Sequence, residues 1–146
     1  MENHLEILLV EDNPYDAELA LRALKQNNLV NHIIHLTDGE EALDFLFAGG
    51  KYKDIKPRQI PRLILLDLKL PGLSGLEVLK QLKADPELKT VPVVMLTSSR
   101  EEKDVIESYN LGANSYLVKP VDFNKFTDVI KDLGFYWLVL NVKPNI

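Results

Sequence analysis

Apolar runs of strand length alternate along this chain with stretches whose apolar residues return every three or four positions. Residues 5–10 (LEILLV) read as a buried strand. Asn13-Pro14 then signals a helix start, with Asn as N-cap and Pro at the first helical position. Ala17, Ala20, Leu21 and Leu24 fall on one face of that helix, and Asn27-Asn28 ends it. Residues 32–36 form a second, weaker strand. Thr37-Asp38-Gly39 turns the chain into a helix carrying Ala42, Leu43, Leu46 and Phe47. Residues 48–61 hold Gly49-Gly50, two prolines and several charges, and read as a surface loop. Residues 63–66 are a buried strand ending at Asp67. After the turn Pro71-Gly72, residues Gly75, Val78, Leu79 and Leu82 share a helical face. Residues 91–96 give a fourth strand, and Val105, Ile106 and Tyr109 lie on a helix closed by Gly112. Residues 116–118 are a short fifth strand, and Phe123, Phe126, Ile130 and Leu133 mark a fifth helix.

Strand followed by helix, five times over, predicts an α/β fold with a parallel sheet covered on both faces. Continuous rather than alternating apolar strands agree, because parallel strands are buried on both sides. Residues 1–133 are expected to form one domain, and no internal repeat or low-complexity segment is present.

Composition narrows the function classes. The 146 residues carry a formal net charge of −5, with 46% hydrophobic and 27% charged residues. An acidic chain without clustered Lys and Arg is a poor binder of nucleic acid. No apolar run approaches the roughly 20 residues that span a bilayer, and the N-terminus lacks the marks of a signal peptide. There is no cysteine, so disulfide and thiol chemistry are excluded. A cytoplasmic location is expected.

In open parallel sheets, ligands bind beyond the carboxyl ends of the strands. Strand one ends in Glu11-Asp12, strand three in Asp67, strand four in Thr97 and strand five in Lys119-Pro120. Three carboxylates, a hydroxyl and an ammonium are thus expected to converge on one edge. A single acid after a strand is commonly a cap or turn residue, but three close carboxylates repel unless a proton or cation intervenes. Hard oxygen ligands in an open site suit Mg²⁺, which keeps several waters and needs only one or two direct carboxylates. His4, His32 and His35 are scattered, without metal-ligand spacing, and are expected to lie away from this cluster.

The set Glu11-Asp12, Asp67, Thr97 and Lys119-Pro120 resembles the signature of bacterial response-regulator receivers. The run of residues 67–75 (DLKLPGLSG) is similar to that family's phosphorylation loop, with Leu70 where Met is common. The resemblance spans about residues 5–132. It implies a doubly wound, flavodoxin-like sheet of order 2-1-3-4-5. It also implies that Asp67 takes a phosphoryl group from the phosphohistidine of a sensor histidine kinase. Asp12, Asp67 and the Lys69 carbonyl would ligate Mg²⁺, with Glu11 acting mainly through water. Lys119 would offset charge, since phosphoryl transfer to a carboxylate is repulsive until cations compensate. Thr97 would donate to a phosphoryl oxygen, and Tyr116 would be the aromatic switch. The Lys119-Pro120 bond would be cis. Lys69 and Ser99 stand at variable positions that tune phosphate lifetime in the family. Such a chain is a phosphoacceptor signalling domain, not an enzyme on other substrates.

Two features depart from the plain family pattern. The loop before Arg62 is long, and residues 134–146 follow the last helix with an apolar run of Phe135, Tyr136, Trp137, Leu138 and Leu140. That tail is too short to span a membrane. It either packs on the chain's own surface or forms an interface, with a homodimer expected, since aromatic apolar patches favour interfaces. Both features resemble the single-domain regulators that partner phytochrome-type histidine kinases, and output is then expected through protein contacts. A haloacid-dehalogenase-type phosphatase needs a second Asp where Lys69 stands. A nucleotide or flavin binder needs glycines where residues 10–14 read VEDNP. An unphosphorylated adaptor with the same fold would be expected to lose one of the key residues, and all are present.

Overall fold

The computed structural model describes residues 7–26, 33–54, 59–120 and 122–132. Five strands, β1 (Ile7–Val10), β2 (Ile33–Leu36), β3 (Leu63–Asp67), β4 (Val93–Thr97) and β5 (Ser115–Val118), alternate with five helices. The helices are α1 (Pro14–Gln26), α2 (Gly39–Phe47), α3 (Gly75–Ala84), α4 (Glu102–Asn110) and α5 (Phe123–Asp132). All strands pair in parallel, in the order β2-β1-β3-β4-β5. The chain therefore reverses its winding between β1 and β3, and the strand ends there open a crevice.

β1, β3 and β4 are buried along their whole length, as central strands of a covered sheet must be. Alternation divides their side chains between two cores. Leu8, Val10, Ile64, Leu66, Val93 and Met95 pack with Ala42, Phe45, Val78, Leu79 and Leu82 of α2 and α3. Ile7, Leu9, Leu63, Leu65, Val94 and Leu96 pack with Ala17, Ala20, Ala23 and Leu24 of α1 and with Phe126 of α5.

Helix starts follow local chemistry. Asn13 Oδ1 accepts the N–H groups of Tyr15 and Asp16 at 2.9 and 3.1 Å. Asp38 caps α2 through the Glu41 N–H at 2.7 Å, and Ser74 caps α3 through that of Glu77 at 3.3 Å. Each cap satisfies donors that the helix cannot.

Several expectations are corrected. The segment expected as loop after α2 begins with a 3-10 turn, Gly50–Tyr52. It is pinned by an edge-to-face contact between Phe45 and Tyr52, with ring centroids 5.2 Å apart. Phe45, rather than Leu43 or Phe47, is buried beside Leu46 on α2. β4 begins at Val93, not Val91, because Pro92 has no N–H for the ladder and a 3-10 turn, Leu88–Thr90, precedes it. On α4, Ile106 and Tyr109 are about half exposed, and the buried residue is Ser108. Leu133 lies outside the described residues, as do the side chains of Phe123 and Ile130 and the whole of residues 134–146, with the proposed interface residues Phe135, Tyr136, Trp137, Leu138 and Leu140.

Candidate functional site

Parallel pairing aligns the carboxyl ends of β1, β3, β4 and β5, so residues ending those strands meet at one edge. Asp67 is the last residue of β3 and pairs with Leu96; Thr97, the last of β4, pairs with Val118 next to Lys119. Asp67 is 3% exposed, Glu11 1% and Thr97 0%, whereas Asp12 is exposed to solvent. The glycine that opens α3 is as constrained as the acids. A Cβ on Gly75 would lie 2.0 Å from the Asp67 carbonyl oxygen, so only glycine lets α3 start this close to β3.

Lys119 is the centre of the site. Its Nζ donates to Glu11 Oε1 at 2.9 Å, to Asp16 Oδ2 at 3.1 Å and to Asp67 Oδ2 at 3.2 Å. Burial by itself would pull its pKa down, but the carboxylates outweigh burial and hold it above the usual lysine range. Asp67 Oδ1 accepts the Lys69 N–H at 3.3 Å. The Lys119-Pro120 peptide is cis, and the Lys119 N–H donates to the Thr97 carbonyl at 2.7 Å.

Glu11, Asp12 and Asp67 each offer a carboxylate oxygen within 4.8 Å of the others. Burial first and Asp67 second push Glu11 up to about 7, against the pull of Lys119. One lysine is too little charge for this cluster. A small hard cation between the carboxylates relieves the same repulsion, and the all-oxygen donor set fits one.

The sequence reading missed Asp16 as a partner of Lys119. An acid in the first turn of a helix reads as a complement to the helix dipole. Only the position of α1 beside Lys119 reveals its second contact. His35 is also closer than expected. Its Nε2–H donates to the Glu11 carbonyl at 2.8 Å, because β2 pairs with β1 and places His35 opposite Leu9. It touches the backbone of the site without being a ligand in it.

Thr97 Oγ1 accepts the Ser99 N–H at 3.1 Å, and the Tyr116 hydroxyl donates to the Ser99 carbonyl at 3.0 Å. Ser99 Oγ donates to Asp104 Oδ2 at 2.5 Å and so reaches α4 rather than Asp67. Burial, followed by the nearby Asp104 and Glu101, raises the Tyr116 pKa despite its bond to Ser99. Beside Tyr116 a cavity of about 510 Å³ opens, lined by Arg100, Lys119, Pro120, Asp122 and Lys125 among others.

A buried strand-end aspartate, flanked by two carboxylates and tied to a lysine, matches a known pattern over most of the chain. The response regulator receiver domain family model matches residues 7–131. The chain belongs to this family. It is 40% identical over 146 residues to "Probable methanogenesis regulatory protein FilR2" of Methanothrix harundinacea, covering 99% of this chain and 90% of that protein. It is 43% identical over 132 residues to the response regulator Rcp1 of Synechocystis sp., covering 90% of this chain and 88% of that one. Among solved structures it is similar to the bacteriophytochrome response regulator RtBRR, at 50% identity and a TM-score of 0.83, covering 97% of this chain and 84% of that one. The Mn²⁺-bound form of Rcp1 superposes with a TM-score of 0.75 at 41% identity, covering 97% and 99% of the two chains. This receiver is a two-component signalling protein. No helix among its described residues is long and apolar enough to cross a membrane.

Proposed function

We propose that Asp67 accepts a phosphoryl group from the phosphohistidine of a sensor kinase, and that the chain signals by protein contact. The observation that carries this is Lys119 Nζ, 3.2 Å from Oδ2 of the buried Asp67, with the carboxylates of buried Glu11 and exposed Asp12 beside it. In the transfer, a carboxylate oxygen of Asp67 forms the new P–O bond. The P–N bond breaks, and its electron pair returns to the donor imidazole. Asp67 is held for this role by β3 pairing and by the Lys69 N–H on its other oxygen. Lys119 supplies positive charge where the phosphoryl oxygens arrive.

Glu11, Asp12, Asp67 and the Lys69 carbonyl are the groups that would hold Mg²⁺, with Glu11 acting mainly through water. A bound Mg²⁺ would neutralise charge on the transferring group. The acidic cluster supports this, and so does the Mn²⁺-bound form of Rcp1. Thr97 donates its hydroxyl to the bound phosphoryl group, and Tyr116 reports the change through Ser99. The receiver acts on no substrate beyond its own phosphoryl group, in the cytoplasm, without binding nucleic acid or membrane.

The kinase is a phytochrome-type sensor. The similarity to RtBRR and Rcp1 favours that partner, because RtBRR is a bacteriophytochrome response regulator. Residues 134–146 extend the domain of residues 1–133 and mediate a homodimer through Phe135, Tyr136, Trp137, Leu138 and Leu140.

The test is labelling by a small phosphodonor with Mg²⁺, read by intact mass. One acid-labile, hydroxylamine-sensitive phosphoryl group is expected on the wild-type protein and none on Asp67→Asn. Undiminished single-site labelling of the variant removes Asp67 as acceptor.

A further inference from the structure

Lys119 is fully engaged before any phosphoryl group arrives. An ammonium has three N–H donors, and Glu11, Asp16 and Asp67 take all three at 2.9, 3.1 and 3.2 Å. The three acceptors differ in their access to water. The side chains of Glu11 and Asp67 are 2% and 4% exposed, while that of Asp16 is 26% exposed. Asp16 is also held in place. Its N–H and that of Tyr15 bond to Asn13 Oδ1, and the Asn13 N–H donates to Glu11 Oε2 at 3.1 Å. The carboxylate therefore stands beside Lys119 on a fixed helix start rather than on a loose loop.

We infer that Asp16 is a positioning residue that competes with the phosphoryl group for Lys119. The inference rests on the reading of Asp67 as the acceptor. A phosphoryl group on Asp67 brings oxygens that claim a Lys119 donor, so one resting partner must yield. Glu11 and Asp67 are closed to the bulk water that could replace the lost bond, whereas Asp16 is open to it. Asp16 is the partner that yields. While it holds Lys119, its negative charge opposes the incoming anion and then disfavours the phosphorylated state. Loss of the group runs by attack of water on phosphorus: the bond to Asp67 breaks, its electron pair stays on the carboxylate, and phosphate departs with a proton released. Lys119 freed from Asp16 binds the phosphoryl oxygens more firmly and slows that loss.

Asp16→Asn keeps the shape and an acceptor oxygen but removes the charge. With a small phosphodonor and saturating Mg²⁺, it should gain the phosphoryl group faster, lose it more slowly and bind fluoroberyllate more tightly. Each change should be about two- to fivefold, the range for an ion pair with one partner in water. Asp16→Glu restores the charge and should return all three values toward wild type. A residue that merely supports the fold would lower uptake and binding, not raise them. Asp16→Asn that takes up, holds and binds these groups no better than wild type overturns the inference. So does a gain that Asp16→Glu shares. Asp67→Asn in parallel keeps the two readings apart: labelling of that variant defeats the acceptor assignment, while its silence beside an unchanged Asp16→Asn defeats only the competition.

Discussion

Gly75→Ala sets two effects of opposite sign against each other. Gly75 opens α3, and alanine is the better residue in a helix by about 0.5–1 kcal/mol. Propensity alone predicts a stabilised protein. The surroundings predict the reverse. A Cβ at this position would meet the Asp67 carbonyl oxygen at 2.0 Å, the Asp67 carbonyl carbon at 3.0 Å and the Leu68 Cα at 2.9 Å. The oxygen must withdraw by about 1.4 Å to reach the 3.4 Å of ordinary contact. All three neighbours are backbone, and none can turn away as a flexible side chain would. β3 cannot slide either, being paired on both sides with β1 and β4, and the Gly75 N–H is bonded to the Leu68 carbonyl at 2.8 Å. Overpacking of this kind costs about 1–3 kcal/mol. A contact this short belongs at the upper end, leaving a net loss of about 2 kcal/mol and a fall in Tm of roughly 4–8 °C. The activity cost should be larger than the stability cost. The peptide that must move carries the proposed acceptor, and a 1 Å misplacement of a reacting group costs roughly a hundredfold. Urea unfolding and the initial rate of phosphorylation by a small donor, measured on the folded variant, test both parts. A Gly75→Ala protein more stable than wild type and phosphorylated at the wild-type rate would refute the reasoning.

Glu11, pushed up to about 7, binds a proton in the folded metal-free state that the unfolded chain loses near 4.5. The stability it contributes is present below about 4.5 and lost as pH rises through 7, on the order of 3 kcal/mol in all. Mg²⁺ competes with that proton, so its Tm increment should grow from about pH 6 to about pH 8. Glu11→Gln should flatten the growth, and an increment independent of pH in wild type contradicts the argument. Among the described residues Ser108 Oγ is buried without a hydrogen-bond partner, so Ser108→Ala should raise unfolding free energy by about 0.5–1.5 kcal/mol; a loss in urea titration would reveal a partner. Truncation after Leu133, or Trp137→Glu, should weaken self-association while Asp67 remains competent. Sedimentation equilibrium tests this, and a full chain that stays monomeric at tens of micromolar, with and without fluoroberyllate, would end the dimer proposal.

Most of the fold was legible because its three central strands are buried on both faces. The runs ILLV, LILLD and VVMLT leave no solvent face to interrupt the apolar pattern. α3 was legible for a different reason: Gly75, Val78, Leu79 and Leu82 repeat at helical spacing and all are buried. α4 defeated the same logic. Val105, Ile106 and Tyr109 suggest an inward face, yet the helix turns Ser108 inward and leaves Ile106 and Tyr109 about half exposed. Apolar spacing fixes the phase of a helix only when the polar residues between cannot be buried, and serine can. The strand-end residues were legible because parallel order brings strand ends together whatever the loops do. Asp16 and His35 were not. Asp16 lies in the first turn of α1 and His35 within an edge strand, where an acid and an imidazole have ordinary explanations. Each contact depends on packing across elements far apart in sequence: Asp16 meets Lys119, and His35 meets the Glu11 carbonyl.

Ser99 is a residue whose position the sequence marks and whose direction only the structure supplies. It stands two residues beyond Thr97, where a side chain facing the acceptor would act on water or phosphate directly. Its hydroxyl instead donates to Asp104 in α4, and its carbonyl accepts the Tyr116 hydroxyl. Its N–H meanwhile donates to Thr97 Oγ1. One residue thus joins the end of β4, the middle of β5 and the first turn of α4. The residue that donates its N–H to the Thr97 hydroxyl therefore also carries the bonds to Tyr116 and Asp104. Ile106 and Tyr109 of α4 are turned about half to solvent, and the Ser99–Asp104 bond is a polar tie on the first turn of that helix. With its hydroxyl committed to Asp104, Ser99 meets the site through its N–H on Thr97 and meets Tyr116 through its carbonyl.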